Sequence, residues 1–476
     1  MNIHPLLKEI ALFFAREGKL LYLVGGAVRD QFRGKKSQDW DLATDARPEE
    51  VIALFRKPLG EADGSGGRGL PSGKPPAGKA RGFVVPTGIK HGTVTVHYKN
   101  REFEVTTFRT ESDYLDGRHP ERLAFAGTIE EDLSRRDFTM NAIALKLPEG
   151  KIVDPFDGRG DIREKIIRCV GDPLERFGED GLRPLRALRF AAQLGFALDG
   201  PTREAIPKTL DVAAKVSPER VRGELDKIIA SPFPSPAFRL MEETGLMELF
   251  LPELAACRGV EQKGYHRFDV LDHSLLACDY AARHSYPEDV RLAALFHDIG
   301  KPQTRKAGEQ GVWTFHRHEQ VSAEMSGRIM GRFRYPKARI DAVRHLVAEH
   351  MFHYQEAWSD GAVRRFVIRA GEENLDNLYR LRRSDAYGMT GTEPAPDGLA
   401  ALISRVDAVL AQGKALSLKD LAVSGNDLIE MGIQPGKHMG IILGELLEAV
   451  VDDPELNSRE KLLEIAGRIK RRYACG

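Results

Sequence analysis

The sequence predicts a multidomain protein with an α/β head followed by an all-α remainder. Its 476 residues are enough for about three domains of ordinary size. Up to about residue 160, short apolar runs alternate with amphipathic helical segments, which is typical of an α/β domain. From about Gly160 onward the apolar residues recur mostly at helical spacing, so we expect the rest of the chain to be helical.

The composition excludes several classes of protein. Lysine plus arginine and aspartate plus glutamate each total 70, so a nucleic-acid partner would require basic residues segregated onto one surface. The four cysteines form no Cys-x-x-Cys pair, which argues against a disulfide framework or a structural zinc site and predicts a cytoplasmic location. There is no signal-peptide pattern, and no apolar run approaches the ~20 residues of a membrane span.

The elements of the head follow from the spacing of its apolar residues. Residues 1–19 predict an amphipathic helix, and LLYLVGGAVRD predicts a strand, a Gly-Gly turn and a helix start. DWDLATD predicts a second strand before a helix at PEEVIALFRK. Residues 59–82 are rich in Gly, Pro and Ser and are expected to be a mobile surface insertion. HGTVTVHY and REFEVTTF alternate between two faces, as in strands.

The second predicted strand carries a candidate metal site. Asp39 and Asp41 are two residues apart, so both carboxylates are expected on one face of the strand. Carboxylates this close repel each other unless a cation lies between them, and Mg²⁺ suits a site of a few carboxylates and substrate phosphates. Glu102 and Glu104 share a face of a later strand, and either could add a third acid.

A glycine pair precedes these acids. Gly25 and Gly26 would let the backbone approach a triphosphate closely, and Arg29 could bind phosphate with two hydrogen bonds. Taken alone, the glycines and acids fit a turn with solvated surface acids equally well.

The surrounding motifs resemble the head domain of class II tRNA nucleotidyltransferases and bacterial poly(A) polymerases, which are DNA-polymerase-β-like nucleotidyltransferases. The likeness begins at LVGGAVRDQFRG and QDWDLATDA and covers nearly all of residues 20–230. It continues through HGTVTV, EVTTFRTESDYLDGRHP, EEDLSRRDFTMNAIAL, VDPFDG, FGEDGLRPLRALRFAAQLGF and SPERVRGELDKII.

This resemblance implies that the protein adds CCA to the 3′ end of tRNA from CTP and ATP, without a template, by two-metal nucleotidyl transfer with Mg²⁺ in the head. The closest alternative is an A-adding enzyme or a poly(A) polymerase, because these share every head motif. The loop TFRTESDYLDGRHPERLAF resembles the family's segment associated with adding the terminal A, and it is complete here.

The resemblance also implies roles for individual residues. Asp39 and Asp41 match the catalytic metal-binding pair, and Glu104 is our choice for the third acid. The implied nucleotide-binding residues are Gly25, Gly26 and Arg29 at the triphosphate, Arg136, Asp137 and Asn141 at the ribose, and Glu179, Asp180, Arg183, Arg186 and Arg189 on and before one helix face.

Asp180 and Arg183 match the family's nucleotide-selecting motif, and their chemistry supports that role. A carboxylate can accept from the exocyclic amine of cytosine or adenine, and a guanidinium can donate to the adjacent ring nitrogen. Uracil and guanine present the opposite pattern, and each unpaired buried polar group costs ~1–3 kcal/mol. Glu179 is expected to hold the arginine, and the alternative is an ordinary surface ion pair. Gly181 departs from the family, where proline is usual.

A histidine-rich helical segment follows. YHRFDVLDHSLLA, RLAALFHDIGKP, FHRHEQ, VAEHMF and RRSDAYG occur in this order and resemble the HD phosphohydrolase superfamily. The resemblance implies phosphate-ester hydrolysis, on 2′,3′-cyclic phosphates or 2′-nucleotides, at a metal site. Such ligands suit a divalent transition metal or Mg²⁺, and the sequence does not choose between them. The implied ligands are His273, His297, Asp298 and Asp385, with His318 and His350 at a second ion, and Lys301 near a phosphate.

We therefore expect four parts. These are a nucleotidyltransferase head (1–160), a helical neck and body (161–262), an HD domain (263–390) and a helical tRNA-binding tail (391–476). Two further interpretations are a phosphohydrolase whose head only binds RNA, and a non-enzymatic tRNA-binding module. Retention of Asp39, Asp41, Asp180 and Arg183 argues against the first, because a binding relic has no need of them all.

Overall fold

A computed structural model of the chain describes residues 3–37, 39–56, 82–86, 88–89, 92–114, 120–262, 266–308, 313–395, 397–411 and 417–474. They form two compact units. One contains the residues up to Ile228 together with Pro236–Phe250, and the other contains Ile229–Ser235 and the chain from Leu251 onward. The predicted insertion at 59–82 lies outside the described residues except for Gly82, and the four-part division stays a prediction.

The first unit opens with a seven-stranded mixed sheet in the order β3-β4-β5-β2-β1-β8-β9. Strands β2 and β5 are parallel and the other neighbours are antiparallel. A separate antiparallel ribbon joins β6 and β7. The elements are α1 (Pro5–Arg16), β1 (Leu21–Val24), α2 (Gly26–Phe32), β2 (Asp41–Thr44), α3 (Pro48–Arg56), β3 (Gly82–Val85), β4 (Thr93–Tyr98), β5 (Arg101–Thr107), β6 (Arg109–Tyr114), β7 (Pro120–Phe125), α4 (Ile129–Ser134), β8 (Ala144–Leu147) and β9 (Ile152–Val153).

The register of the central strands brings the site residues together. All four residues of β1 are buried, which explains its continuous apolar run. Asp41 at the start of β2 lies opposite Val24 on one side and Glu104 on the other. The prediction that Asp39 lies within this strand is wrong, since β2 begins at Asp41. The intervening Trp40 is buried and donates its indole N–H to the Ser37 carbonyl at 3.1 Å, and strand pairing begins only at the next residue.

Short helices complete the first unit. A two-stranded parallel ribbon, β10 with β11, joins the segments that follow α5 and α7. Helix α6 begins at Pro173 behind an Asp172 cap, and α7 ends at Gly195 in the left-handed region. The elements are α5 (Gly158–Glu164), β10 (Ile166–Ile167), α6 (Pro173–Glu179), α7 (Arg183–Leu194), β11 (Ala197–Leu198), α8 (Gly200–Ala205), α9 (Leu210–Ala213), α10 (Pro218–Ile229), α11 (Ser235–Glu243) and α12 (Leu246–Phe250).

Where the structure describes the second unit, it is mostly helical, as the sequence predicts, with one short antiparallel pair of strands, β12 and β13. Helix α14 packs against α15 and α20, and α17 packs against α18. The last helices form their own core around Leu428, Leu446 and Leu462. The elements are α13 (Pro252–Ala255), α14 (Val270–Arg283), α15 (Glu288–Phe296), α16 (Lys301–Thr304), β12 (Lys306–Ala307), β13 (Trp313–Thr314), α17 (His318–Arg332), α18 (Lys337–Glu349), α19 (Asp360–Ala370), α20 (Leu375–Thr390), α21 (Asp397–Ala411), α22 (Gly425–Glu430), α23 (Lys437–Asp452) and α24 (Arg459–Ala474).

Two sequence-based exclusions can be compared with the described residues. Cys169, Cys257 and Cys278 are buried and free of disulfide bonds. Among the described helices, none combines the length and apolarity that a membrane crossing requires. The cytoplasmic location stays a prediction.

Candidate active site and candidate metal centre

An acid cluster lies at the ends of two central strands, where β1 runs into the Gly-Gly turn and β2 begins at Asp41. Burial raises the pKa of the Asp41 carboxyl, and the nearby Asp39 and Glu104 carboxylates raise it further, while Arg136 opposes them. A divalent cation among these carboxylates would relieve that repulsion, so the donor set fits a hard metal ion. Of the two candidates on β5, Glu104 lines the cleft with Asp41, whereas Glu102 is 71% exposed and pairs with His97 at 3.3 Å.

At Gly25 the backbone passes close to the side chains of Asp41 and Arg136 in the cleft. Its φ of +69° lies in the left-handed region, which strains any other residue. A Cβ added there would lie 3.2 Å from Arg136 Nη1 and 3.3 Å from Asp41 Oδ2. Glycine therefore leaves the acid cluster and its arginine open to a ligand. Helix α2 begins at Gly26 and places the buried Arg29 on the same cleft wall.

Two of the predicted ribose residues, Asp137 and Asn141, form a hydrogen-bonded chain with Arg29 and Arg186, whereas Arg136 pairs with Asp132 at 3.2 Å. Arg29 Nη1 donates to Asn141 Oδ1 at 2.9 Å, and Asn141 Nδ2 donates to Asp137 Oδ1 at 3.1 Å. Arg186 then donates to Asp137 Oδ2 from Nε at 2.8 Å and from Nη2 at 2.5 Å. Although burial opposes ionisation, Arg186 and Asn141 hold the pKa of Asp137 at about 2. Asp137 is thus a fixed carboxylate that links α2 to α7.

The predicted base-selecting residues lie at the junction of α6 and α7. Arg183 is buried, and its guanidinium donates to the Glu179 carboxylate and to the Arg176 carbonyl at 3.0 Å. Glu179 therefore holds the arginine, as the sequence predicts. Asp180 accepts from the Leu182 N–H at 3.0 Å through Oδ1 and from Arg220 at 2.7 Å through Oδ2. Both side chains are oriented by the protein and line the cleft.

Gly181, which departs from the family pattern, is a packing requirement here. A Cβ at this position would overlap the Val212 carbonyl and lie 2.8 Å from Ala213 Cα. The turn between Asp180 and Arg183 therefore rests directly on the backbone of α9.

The predicted residues share one cavity of about 590 Å³. Its lining includes Gly25, Gly26, Arg29, Asp41, Glu104, Arg136, Asp137, Asn141, Asp180, Arg183, Arg186 and Arg189. Asp39 and Glu179 are not among the lining residues, but the Asp39 carboxylate raises the pKa of Asp41 and the Glu179 carboxylate accepts from Arg183. The Arg189 guanidinium is paired at 2.6 Å with the buried Glu224 carboxylate, which leaves it less free than Arg29 or Arg136 to bind a ligand in the cleft.

Sequence reasoning missed three cleft arginines, Arg109, Arg135 and Arg220. Arg135 adjoins the ribose motif and donates from Nε to the Arg109 carbonyl at 3.0 Å, and its own carbonyl accepts from Arg183 at 3.2 Å. Arg220 lies in SPERVRGE, one of the quoted motifs. Its partner Asp180 is 40 residues away, and no local signal links the two.

The second unit contains a buried cluster of histidines and aspartates. Nε2 atoms of His273 and His297 lie 2.9 Å apart, and each is 3.3 Å from Asp298 Oδ2. Asp385 Oδ1 is 3.2 Å from the first and 3.6 Å from the second. Ligands bonded at ~2.0–2.1 Å to one ion are separated by about 3.0–3.4 Å, so these four atoms fit a single metal.

The other carboxylate oxygen of Asp298 faces a second group. Asp298 Oδ1 lies 3.2 Å from His318 Nε2 and 3.9 Å from His350 Nε2. These three residues form a second possible metal-holding group that shares Asp298 with the first. Asp298 Oδ1 and His318 Nε2 are buried without a well-directed hydrogen bond among the described residues, as expected for atoms that bind an ion.

The backbone orients these histidines as ligands. Nδ1 of His297, His318 and His350 lies 2.7–2.9 Å from the carbonyl three residues earlier, which directs each Nε2 lone pair into the cluster. Lys301 donates to Asp298 Oδ2 at 2.6 Å and to Gln262 at 2.5 Å, so here it pairs with a ligand. All six predicted HD residues lie in these two groups or contact them.

Known proteins match the chain over its whole length. The family model "Poly A polymerase head domain" matches residues 21–69 and 78–168, "Probable RNA and SrmB- binding site of polymerase A" matches 195–258, and "HD domain" matches 265–397. The CCA-adding enzyme of Anoxybacillus flavithermus is 43% identical over 95% of this chain and 94% of its own. That of Geobacillus stearothermophilus is 34% identical over 93% and 91%.

A solved structure agrees. The Bacillus stearothermophilus CCA-adding enzyme in complex with CTP has a TM-score of 0.71 and 30% identity, with both chains fully covered. The mixed sheet, the acid cluster and the glycine turn are those of a nucleotidyltransferase head. The buried histidine–aspartate cluster belongs to an HD domain in the same chain. Within that class, the chain belongs to the family of CCA-adding enzymes.

Proposed function

We propose that this protein adds CCA to the 3′ end of tRNA, using CTP and ATP without a nucleic-acid template. The observation that carries the proposal is one cavity that joins an acid cluster to a protein-built base reader. Asp41 and Glu104 lie at one part of its lining, and Asp180 and Arg183 lie at another. A transfer of this kind requires alignment and charge neutralisation more than covalent chemistry from the protein.

Asp39, Asp41 and Glu104 would hold Mg²⁺ in the head. The metal would neutralise the triphosphate and the charge that develops during transfer. Arg29 and Arg136 lie beside the acids, where they would bind phosphate oxygens.

The sugar and the base are recognised by fixed groups. Asp137 stays ionised and tied to Arg186, so it offers a permanent acceptor to a 2′-hydroxyl. Asp180 would accept from the amine of cytosine or adenine, and Arg183 would donate to the ring nitrogen.

The alternative head functions are A addition alone and poly(A) synthesis. The relatives matched over more than nine-tenths of the chain are CCA-adding enzymes, which favours the complete activity. The test supplies purified protein with tRNA ending before CCA, together with CTP alone, ATP alone, or both, and sequences the products. Addition of CC with CTP alone, and of CCA with CTP and ATP together, supports the proposal. Addition of A without C, or of many A residues, identifies an alternative.

The second unit supports a second function, metal-dependent hydrolysis of phosphate esters such as 2′,3′-cyclic phosphates and 2′-nucleotides. The buried group of His273, His297 and Asp298, with Asp385 at 3.2 Å from His273, would hold a divalent transition metal or Mg²⁺, which would polarise the ester. Lys301 is placed to meet a phosphate once released from Asp298. Phosphate release from a 2′,3′-cyclic nucleotide, measured with several divalent metals, tests this function. The tail from residue 391 is proposed to help hold tRNA through phosphates, with Lys470, Arg471 and Arg472 nearby.

A further inference from the structure

A second cavity in the first unit is also about 590 Å³ and has a different lining. Four cationic and four apolar side chains line it, and no acidic, amide or hydroxyl side chain of the described residues does. The lining is Phe32, Arg33, Arg159, Ile162, Arg163, Lys165, Leu194 and Phe196. We name it the basic–aromatic cavity.

The walls of this cavity are held in place by backbone pairing. Ile166 pairs with Ala197 in the β10–β11 ribbon, so the preceding residues Lys165 and Phe196 are held side by side. Lys165 adopts a left-handed conformation, with φ +58°, that costs a non-glycine residue about 1 kcal/mol. Lys165 is exposed and lines the cavity despite this strain.

The cations have few protein partners. Among the described residues, no ion pair involves Arg159, Arg163 or Lys165, and all three are exposed; only Arg33 has a carboxylate, Asp30, at 3.3 Å. The Arg159 guanidinium lies 5.5 Å from the Phe32 ring centroid, and Arg33 lies 5.6 Å from that of Phe196. Four like charges around one cavity repel one another unless an anion lies between them.

The chemistry of the lining selects among anions. The active cleft places acids beside its arginines, as a metal–triphosphate ligand requires, whereas the basic–aromatic cavity has none. It therefore suits phosphodiesters, which need no metal partner. Phe32 is partly exposed and offers a ring face for a base, and stacking on a ring tolerates any base because every base has a π-face.

The cavity also lies close to the chemistry. Helix α2 carries Arg29 at the active cleft and Phe32 at the second cavity, and α7 carries Phe190 at the cleft and Leu194 at the cavity. Residues four apart on a helix are separated by about 6 Å along its axis. The two cavities are therefore about one helical turn apart along α2 and along α7.

We infer that the basic–aromatic cavity binds one unstacked nucleotide of the RNA substrate with its flanking phosphates, without reading the base. This inference rests on the proposed function, because it assumes that the substrate is tRNA. Such a site gives affinity that is independent of sequence, which an enzyme acting on every tRNA requires.

The test measures tRNA affinity across a series of salt concentrations. Replacing Arg159→Gln together with Arg163→Gln removes two phosphate contacts. This should lower the affinity for tRNA about tenfold. It should also reduce the slope of log affinity against log salt concentration, called the salt slope below, by about 1.4, at ~0.7 per phosphate contact for single-stranded RNA. Lys8→Gln with Arg16→Gln is the matched control, since it removes two exposed charges from α1 of the same unit. The control should keep both the affinity and the slope of the parent.

A third variant separates stacking from charge. Phe32→Leu should weaken binding at least about fivefold and leave the salt slope unchanged, because stacking is worth ~1–3 kcal/mol per base and releases no counterions. Two tRNAs of different sequence should lose affinity equally. A double variant that binds tRNA like the parent overturns the inference, as does a rise in KM for CTP or ATP with tRNA affinity unchanged. Failure of the parent protein to extend tRNA would instead overturn the proposed function.

Discussion

The base-selecting pair offers a quantitative test of the proposed function. Asp180→Ala removes the acceptor for the amine of cytosine and so removes one of two contacts that reject UTP. An unpaired buried polar contact costs ~1–3 kcal/mol. Because the Asp180 side chain is 21% exposed and also contacts Arg220, we take the lower part of this range, about 1.4 kcal/mol. The ratio of kcat/KM for CTP over UTP should therefore fall about tenfold.

Arg183 should have a larger effect. Its side chain is 8% exposed, and its guanidinium is held by Glu179 and by the Arg176 carbonyl. A hydrogen bond from such a charged group is worth up to about 3 kcal/mol. Arg183→Ala should thus lower kcat/KM for CTP and ATP together by about 100-fold, since both bases accept from the same donor.

The assay is addition of a single nucleotide to tRNA lacking CCA, with each of the four triphosphates below saturation. Glu175→Ala is the control, because Glu175 is an exposed carboxylate on the same helix, α6. It should leave all four rates unchanged. An unaltered CTP-to-UTP ratio in Asp180→Ala would refute the reasoning. An equal loss with all four triphosphates would show that Asp180 only supports the fold.

Three further predictions follow from the other residues. Asp41→Ala should reduce addition of both C and A by at least about 100-fold while retention of tRNA on a filter is unchanged, because it removes charge stabilisation at the transfer site. His297→Ala combined with Asp298→Ala should abolish bound divalent metal, measured by elemental analysis, and release of phosphate from a 2′,3′-cyclic nucleotide. CCA addition should persist, and its loss without unfolding would contradict two separate sites. Asp137→Asn should lower the free energy of unfolding by about 2 kcal/mol at pH 7, since the pKa of Asp137 falls from 3.8 to about 2 on folding and each pKa unit is ~1.36 kcal/mol. Because the pKa of Asp137 is lower in the folded protein than in the unfolded chain, its carboxylate stabilises the fold at every pH above the unfolded pKa. Denaturant unfolding should therefore show a constant difference in stability between parent and variant from pH 5 to 8. That difference should narrow only as the pH falls below about 4.

The sequence predicted those parts of the site that depend on neighbouring residues. The turn at Gly25 and Gly26 and the i,i+3 arginines of α7 are local patterns, and the structure confirms both. The choice of Glu104 over Glu102 depends on strand register, which no local pattern determines. The prediction that Asp39 lies in the strand was wrong because pairing with β1 and β5 begins only at Asp41, opposite Val24 and Glu104, and residue spacing does not determine where pairing begins.

Hydrogen bonds between residues far apart in the chain could not be predicted from the sequence. Arg220 reaches Asp180 across 40 residues, and the Arg135 carbonyl accepts from Arg183 across 48. The basic–aromatic cavity gathers side chains from three separate segments. Equal totals of acidic and basic residues in the whole chain conceal it, because composition reports the sum of charges and not their arrangement.

The contact of Gly181 with α9 has a consequence for changing nucleotide preference by engineering. Since any side chain at position 181 would push against Val212 and Ala213, the spacing between Asp180 and Arg183 depends on the position of that neighbouring backbone. Residues of α9 that never meet a nucleotide can therefore alter which nucleotide is accepted. A search for variants with new base preferences should sample the segment around Val212 and leave Gly181 intact.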